Sequence, residues 1–121
     1  MKKILMIEDN EDIRLIFCEI LTLENFQVMC AENGLIGLKL AKNQHPDLIL
    51  SDLHMPELNG YEVLEKLRND VSTANIPFIF ITSEEDYDYR CRALLLGANG
   101  YLIKPVDICE LLNAITTQLT S

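Results

Sequence analysis

The chain has 121 residues, of which 49% are hydrophobic and 24% charged, with a formal net charge of -9. That is enough chain for one core and too little for two. The acidic surplus would repel nucleic acid and anionic lipid, which leaves proteins and small ions as expected partners.

The first predicted strand, Lys3 to Ile7, begins directly after Met1-Lys2, with no signal-peptide core before it. No run is apolar for the length of a membrane span, so neither export nor membrane insertion is expected. A helix is predicted from Glu11 to Leu23: Asn10 can cap it, Glu11 and Asp12 suit its positive end, and Ile13, Ile16, Phe17, Ile20 and Leu21 form one stripe. Phe26 to Cys30 follows as a strand and Leu35 to Lys42 as a helix that Gly37 should weaken modestly. Pro46-Asp47 turns the chain into a third strand ending at Ser51, and the loop from Leu53 to Gly60 leads into a helix from Tyr61 to Asn69 with Val63, Leu64 and Leu67 inward. Pro77 to Ile81 is the fourth strand. Ser83 is the expected cap of a fourth helix, Asp86 to Leu96, which stops at Gly97. Its Leu94-Leu95-Leu96 run is too dense for one stripe: two can be buried, and Leu95 is the odd residue of an exposed patch that Tyr87, Tyr89 and Cys91 enlarge. Tyr101 to Ile103 and a helix from Asp107 to Leu119 close the chain.

Short apolar runs alternating with helical periods are the signature of an α/β domain whose parallel sheet is covered on both faces. Five such βα units in doubly wound order 2-1-3-4-5 make a flavodoxin-like three-layer sandwich over residues 1–121, with its switch point between the first and third strands. The strands end on chemistry: Glu8-Asp9 after the first, Asp52 after the third, Thr82-Ser83 after the fourth and Lys104-Pro105 after the fifth. In a parallel sheet these ends share one edge. Two carboxylates about 4 Å apart repel by roughly 4 kcal/mol at an effective dielectric near 20, so the cluster calls for cations, Lys104 and a divalent metal. Cys18, Cys30, Cys91 and Cys109 fall in four different elements without zinc-type spacing and are expected to be reduced, which points to a cytoplasmic protein.

The acidic pair Glu8-Asp9, the central Asp52 with Met55-Pro56 and Asn59-Gly60 behind it, Thr82, Gly97-Ala98, Tyr101 and Lys104-Pro105 resemble, in order and over the whole chain, a CheY-like receiver domain of two-component response regulators. The resemblance implies that Asp52 is the phosphoacceptor, taking a phosphoryl group from a phosphohistidine of a sensor histidine kinase or phosphotransfer protein. It implies a site for Mg2+, with Mn2+ as an alternative, held by Asp9, Asp52 and the backbone carbonyl of His54, with Glu8 acting through a water. Lys104 and Thr82 would complete the catalytic set by meeting phosphoryl oxygens, the Lys104-Pro105 peptide would be cis, and Tyr101 would rotate inward after Thr82 moves. The face made by the fourth helix, fifth strand and fifth helix would then engage an effector protein or a second copy. His54 and Glu84 flank the path of an attacking water and are expected to tune the acyl-phosphate lifetime.

On this reading the chain is a signalling switch and not an enzyme, acting only on its own phosphorylation and slow dephosphorylation. Two alternatives compete. A pseudo-receiver would bind partners without phosphorylation, against which the intact set of Asp9, Asp52, Thr82 and Lys104 argues. A phosphohydrolase of the haloacid dehalogenase type would carry its nucleophile on the first strand and an aspartate two residues later, where this chain has Asp52 on the third strand and His54. With no effector module visible, the chain reads either as a stand-alone regulator or as the front of a longer protein.

Overall fold

Strands and helices alternate along residues 1–120, which the computed structural model describes. They are β1 (Lys3–Ile7), α1 (Glu11–Leu23), β2 (Gln27–Ala31), α2 (Gly34–Gln44), β3 (Leu48–Ser51), α3 (Gly60–Arg68), β4 (Phe78–Thr82), α4 (Tyr87–Leu95), β5 (Gly100–Ile103) and α5 (Ile108–Leu119). The sheet is parallel, in the order β2-β1-β3-β4-β5. The predicted architecture is therefore observed, with element ends within a residue or two of those expected.

Period-2 alternation sends consecutive strand residues to opposite faces and builds two cores. Leu5, Ile7, Ile49, Phe78 and Phe80 pack with Val63, Leu64 and Leu67 of α3 on one side. Ile4, Met6, Leu48, Leu50, Ile79 and Ile81 pack with Leu21 of α1 and with Leu111 and Ile115 of α5 on the other. Central strands β3 and β4 are buried along their whole length. Burial on both faces explains why they read as unbroken apolar runs.

Caps set the helix starts. The side chain of Asn10 accepts from Ile13 N, that of Asn33 from Ile36 N, and Asn59 forms a complete capping box with Glu62. Gly97, at φ 101°, follows the end of α4 as expected.

Several local expectations are corrected. Asp86, not Ser83, occupies the N-cap of α4. Gly37 does more than weaken α2: a Cβ there would sit 2.5 Å from Ile7 Cδ1, so the missing side chain lets α2 lie against β1. Of the α1 stripe only Leu21 is fully buried; Phe17 is partly buried against the core and Ile16 is exposed. On α4 only one leucine of the three packs inward: Leu96 meets the core, Leu94 is half exposed and Leu95 is 87% exposed. The cysteines are not all thiols, because Cys18 and Cys30 form a disulfide between α1 and β2. The spacing of 12 residues hid this pair, since only the packing of α1 across edge strand β2 brings the two together. Cys91 and Cys109 are free.

Candidate phosphoacceptor and cation site

Parallel register carries the strand ends to one edge. Ile7 pairs with Ser51, and Thr82 with Ile103, so Glu8 and Asp52 emerge side by side, as do the residues after Thr82 and Lys104. Backbone bonds hold this edge: Asp52 N–H donates to Ile7 O at 3.0 Å, and Lys104 N–H to Thr82 O at 2.8 Å. The Lys104-Pro105 peptide is cis.

At that edge Glu8, Asp9 and Asp52 each offer a carboxylate oxygen, all within 4.8 Å of one another. Lys104 Nζ lies 2.8 Å from Glu8 Oε1 and 3.4 Å from Asp52 Oδ2. Three carboxylates facing one ammonium leave two negative charges uncompensated. That imbalance, in an all-oxygen donor set, fits a hard divalent cation. The three acidic residues could hold such an ion.

Each group is fixed by local structure. Glu8 is fully buried, and Asn10 N–H approaches its Oε2 at 3.4 Å while Arg14 donates to its backbone carbonyl at 2.9 Å. Asp52 is 9% exposed; its Oδ1 accepts from Leu53 N–H at 2.7 Å, which orients the carboxylate. Desolvation in the crevice, with Glu8 as hydrogen-bond partner and neighbouring charge, raises the Asp9 pKa against the opposing pull of Lys104. Desolvation alone would lower the Lys104 pKa, but the hydrogen bond to Glu8 and the charge of Asp52 outweigh it and the net shift is upward. The ammonium is thus held charged against the carboxylates.

Gly60 closes the floor. A Cβ there would stand 2.5 Å from Asp52 O and 2.7 Å from Phe80 Cε1, and its N–H donates to Leu53 O at 2.8 Å. The Asn59-Gly60 pair of the sequence signature is therefore a cap followed by a close backbone approach, and both fix the chain beneath Asp52.

Thr82 is fully buried, and its Oγ1 accepts from Glu84 N–H at 3.2 Å. Tyr101 differs from expectation. Its ring is already inward, 6% exposed and tilted against Phe80, and its hydroxyl donates to Glu84 O at 2.8 Å. Burial, aided by Tyr61 and Glu84, pushes its pKa up to about 12. Glu84, expected from the resemblance to flank the path of an attacking water together with His54, lies with its Oε1 2.9 Å from His54 Nε2. Sequence reasoning missed that contact, because it joins residues far apart in the chain, whereas Lys104 meets the carboxylate cluster as expected, with Glu8 as its nearest partner. It singled out Glu84 and His54 separately, each by its position two residues past a strand-end group.

The chain belongs to the response regulator receiver domain family, which residues 4–116 match. Receiver domains are signalling switches. Over 119 residues the chain is 35% identical to Protein PilH of Pseudomonas aeruginosa, covering 98% of each. Chemotaxis protein CheY4 of Vibrio cholerae has the same fold, with a TM-score of 0.93 at 28% identity over 98% of this chain and 99% of that one. Other relatives are longer. The chain is 34% identical to Regulatory protein AtoC of Escherichia coli but spans 23% of it, and 38% identical to Histidine kinase P4 of Formosa agariphila while spanning 8% of that protein. It spans about half or less of the first four curated relatives. Among the described residues no helix is long and apolar enough to cross a membrane.

Proposed function

We propose that this chain, as one unit over residues 1–121, is the phosphoacceptor of a two-component pathway. An Asp52 carboxylate oxygen attacks the phosphorus of a phosphohistidine on a histidine kinase or phosphotransfer protein. The P–N bond breaks with its electron pair returning to the imidazole, and an acyl phosphate forms on Asp52. The observation that carries the reading is Lys104 Nζ lying 2.8 Å from Glu8 and 3.4 Å from Asp52 Oδ2, within a carboxylate cluster that leaves two charges for a cation.

Phosphoryl transfer asks the protein mainly for positioning and charge neutralisation. Asp9 and Asp52, with the His54 carbonyl and with Glu8 through a water, would hold Mg2+ or Mn2+. The ion supplies neutralisation of phosphoryl oxygens. Lys104, already beside Oδ2, would meet one of those oxygens as it arrives. Thr82 Oγ1 accepts from Glu84 N–H, which leaves its own hydrogen to donate to another. His54 and Glu84 stand over the approach of water and set how long the acyl phosphate lasts. Thr82 and Tyr101 relay the change to the surface of α4, β5 and α5, where Tyr87, Leu94 and Leu95 are exposed for an effector or a second copy. The acidic surface disfavours direct nucleic-acid binding. Self-directed chemistry, without turnover of a separate substrate, completes the reading, and a cytoplasmic location is proposed from the family alone, since the Cys18–Cys30 bond removes the argument from reduced cysteines.

Incubation with acetyl phosphate and magnesium, followed by intact mass, tests it. One phosphoryl adduct is expected on the native chain and none on Asp52→Asn; an adduct retained by that variant would refute the assignment.

A further inference from the structure

Glu84 lies between β4 and α4, in neither helix nor strand, yet it bonds in three directions. Its N–H donates to Thr82 Oγ1 at 3.2 Å, its carbonyl accepts the Tyr101 hydroxyl at 2.8 Å, and its carboxylate meets His54 Nε2 at 2.9 Å. A carboxylate only accepts, so Nε2 carries the hydrogen of that last bond. His54 is braced in turn: its ring stands edge-on to Tyr89 of α4, with centroids 5.7 Å apart, and the Tyr89 carbonyl takes the Tyr61 hydroxyl at 2.9 Å.

A buried phenol needs a partner for its hydroxyl, or burial costs more than it returns. Tyr101 finds that partner in the Glu84 carbonyl, and the carbonyl stays in place only while this segment does. The side-chain tie to His54 anchors the segment to the opposite loop, across the mouth of the site. We infer that the Glu84–His54 pair is a latch that holds Tyr101 inward before any phosphoryl group arrives, making these two side chains positioning residues for the switch. The idea rests on the role proposed above for Tyr101. It adds that the resting equilibrium is set by a side-chain pair and not by phosphorylation alone.

The test uses the full chain with its four tyrosines fluorinated, read by 19F NMR without magnesium or phosphodonor, so that its outcome is independent of whether Asp52 is phosphorylated. Tyr101→Phe assigns the resonance, and its shift between H2O and D2O reads ring exposure. In His54→Ala and in Glu84→Ala, the ratio of outward to inward Tyr101 should rise by about two- to five-fold, the range for a partly exposed side-chain pair. The double variant should go no further than either single one, and His54→Gln, whose amide can replace the ring N–H, should restore the native ratio. The other three resonances verify folding. An unmoved Tyr101 signal in both single variants, additive effects in the double, or no rescue by His54→Gln would each overturn the latch.

Discussion

Tyr101 shows how one side chain can carry both a core contact and a measurable electrostatic consequence. Its ring packs beside Phe80 and its hydroxyl reaches Glu84 O, while burial, the largest cause, moves its pKa from 10 to about 12. The folded protein therefore keeps the phenolic proton at pH values where the unfolded chain has released it. The resulting stability is fully present below about pH 10 and is lost as pH rises through about 12. Urea midpoints taken from about pH 9 to about pH 11.5 should fall more steeply for the native chain than for Tyr101→Phe. Equal slopes would mean that the buried phenol does not contribute. The sequence identified Tyr101 as a strand residue of interest, but whether its ring lay in or out depended on where the Glu84 carbonyl stood.

Between elements, Arg68 acts as a brace that no periodicity would reveal. From the end of α3 it donates to Ala74 O and Ile76 O in the segment entering β4, and to Gly97 O and Asn99 Oδ1 in the turn entering β5. One guanidinium thereby fixes α3 against the approaches to both strands that deliver Thr82 and Lys104. Its planar fork suits several carbonyls at once, which a lysine could not replace. Arg68→Ala should cost about 2–4 kcal/mol in urea unfolding, since it strands several carbonyl partners together, and Arg68→Lys should recover only a fraction. A loss under about 0.5 kcal/mol, the level of an ordinary surface change, would contradict this role. In sequence Arg68 looks like a favourable basic residue at a helix end, because the partners that matter lie 6 to 31 positions away.

Taken whole, the molecule gathers a negative charge that it does not neutralise by itself. With -9 overall and three carboxylates within 4.8 Å around a single lysine, the fold spends stability to keep the cluster together. Removing one of those charges should help the metal-free protein, so Asp9→Asn is expected to melt higher than the native chain without magnesium. Added magnesium should stabilise the native chain by about 2.7 kcal/mol at a hundred times its Kd, and leave Asp9→Asn nearly unmoved. Thermal unfolding with and without the ion checks both arms; a native melting point indifferent to magnesium would remove the metal from the account.

The division between chain and fold follows from the range of the forces involved. Alternating apolar runs, helical stripes and Asn caps act over a few residues, so the order of elements, the parallel sheet and the acidic, hydroxyl and ammonium groups at its edge could be read from the sequence alone. Tertiary packing decided what lies between distant segments: which carboxylate Lys104 approaches most closely, the Glu84–His54 contact, the Cys18–Cys30 bond, the outward turn of Leu94, and the inward ring of Tyr101. Those depend on which surfaces meet in three dimensions, and a local pattern carries no record of its distant partner.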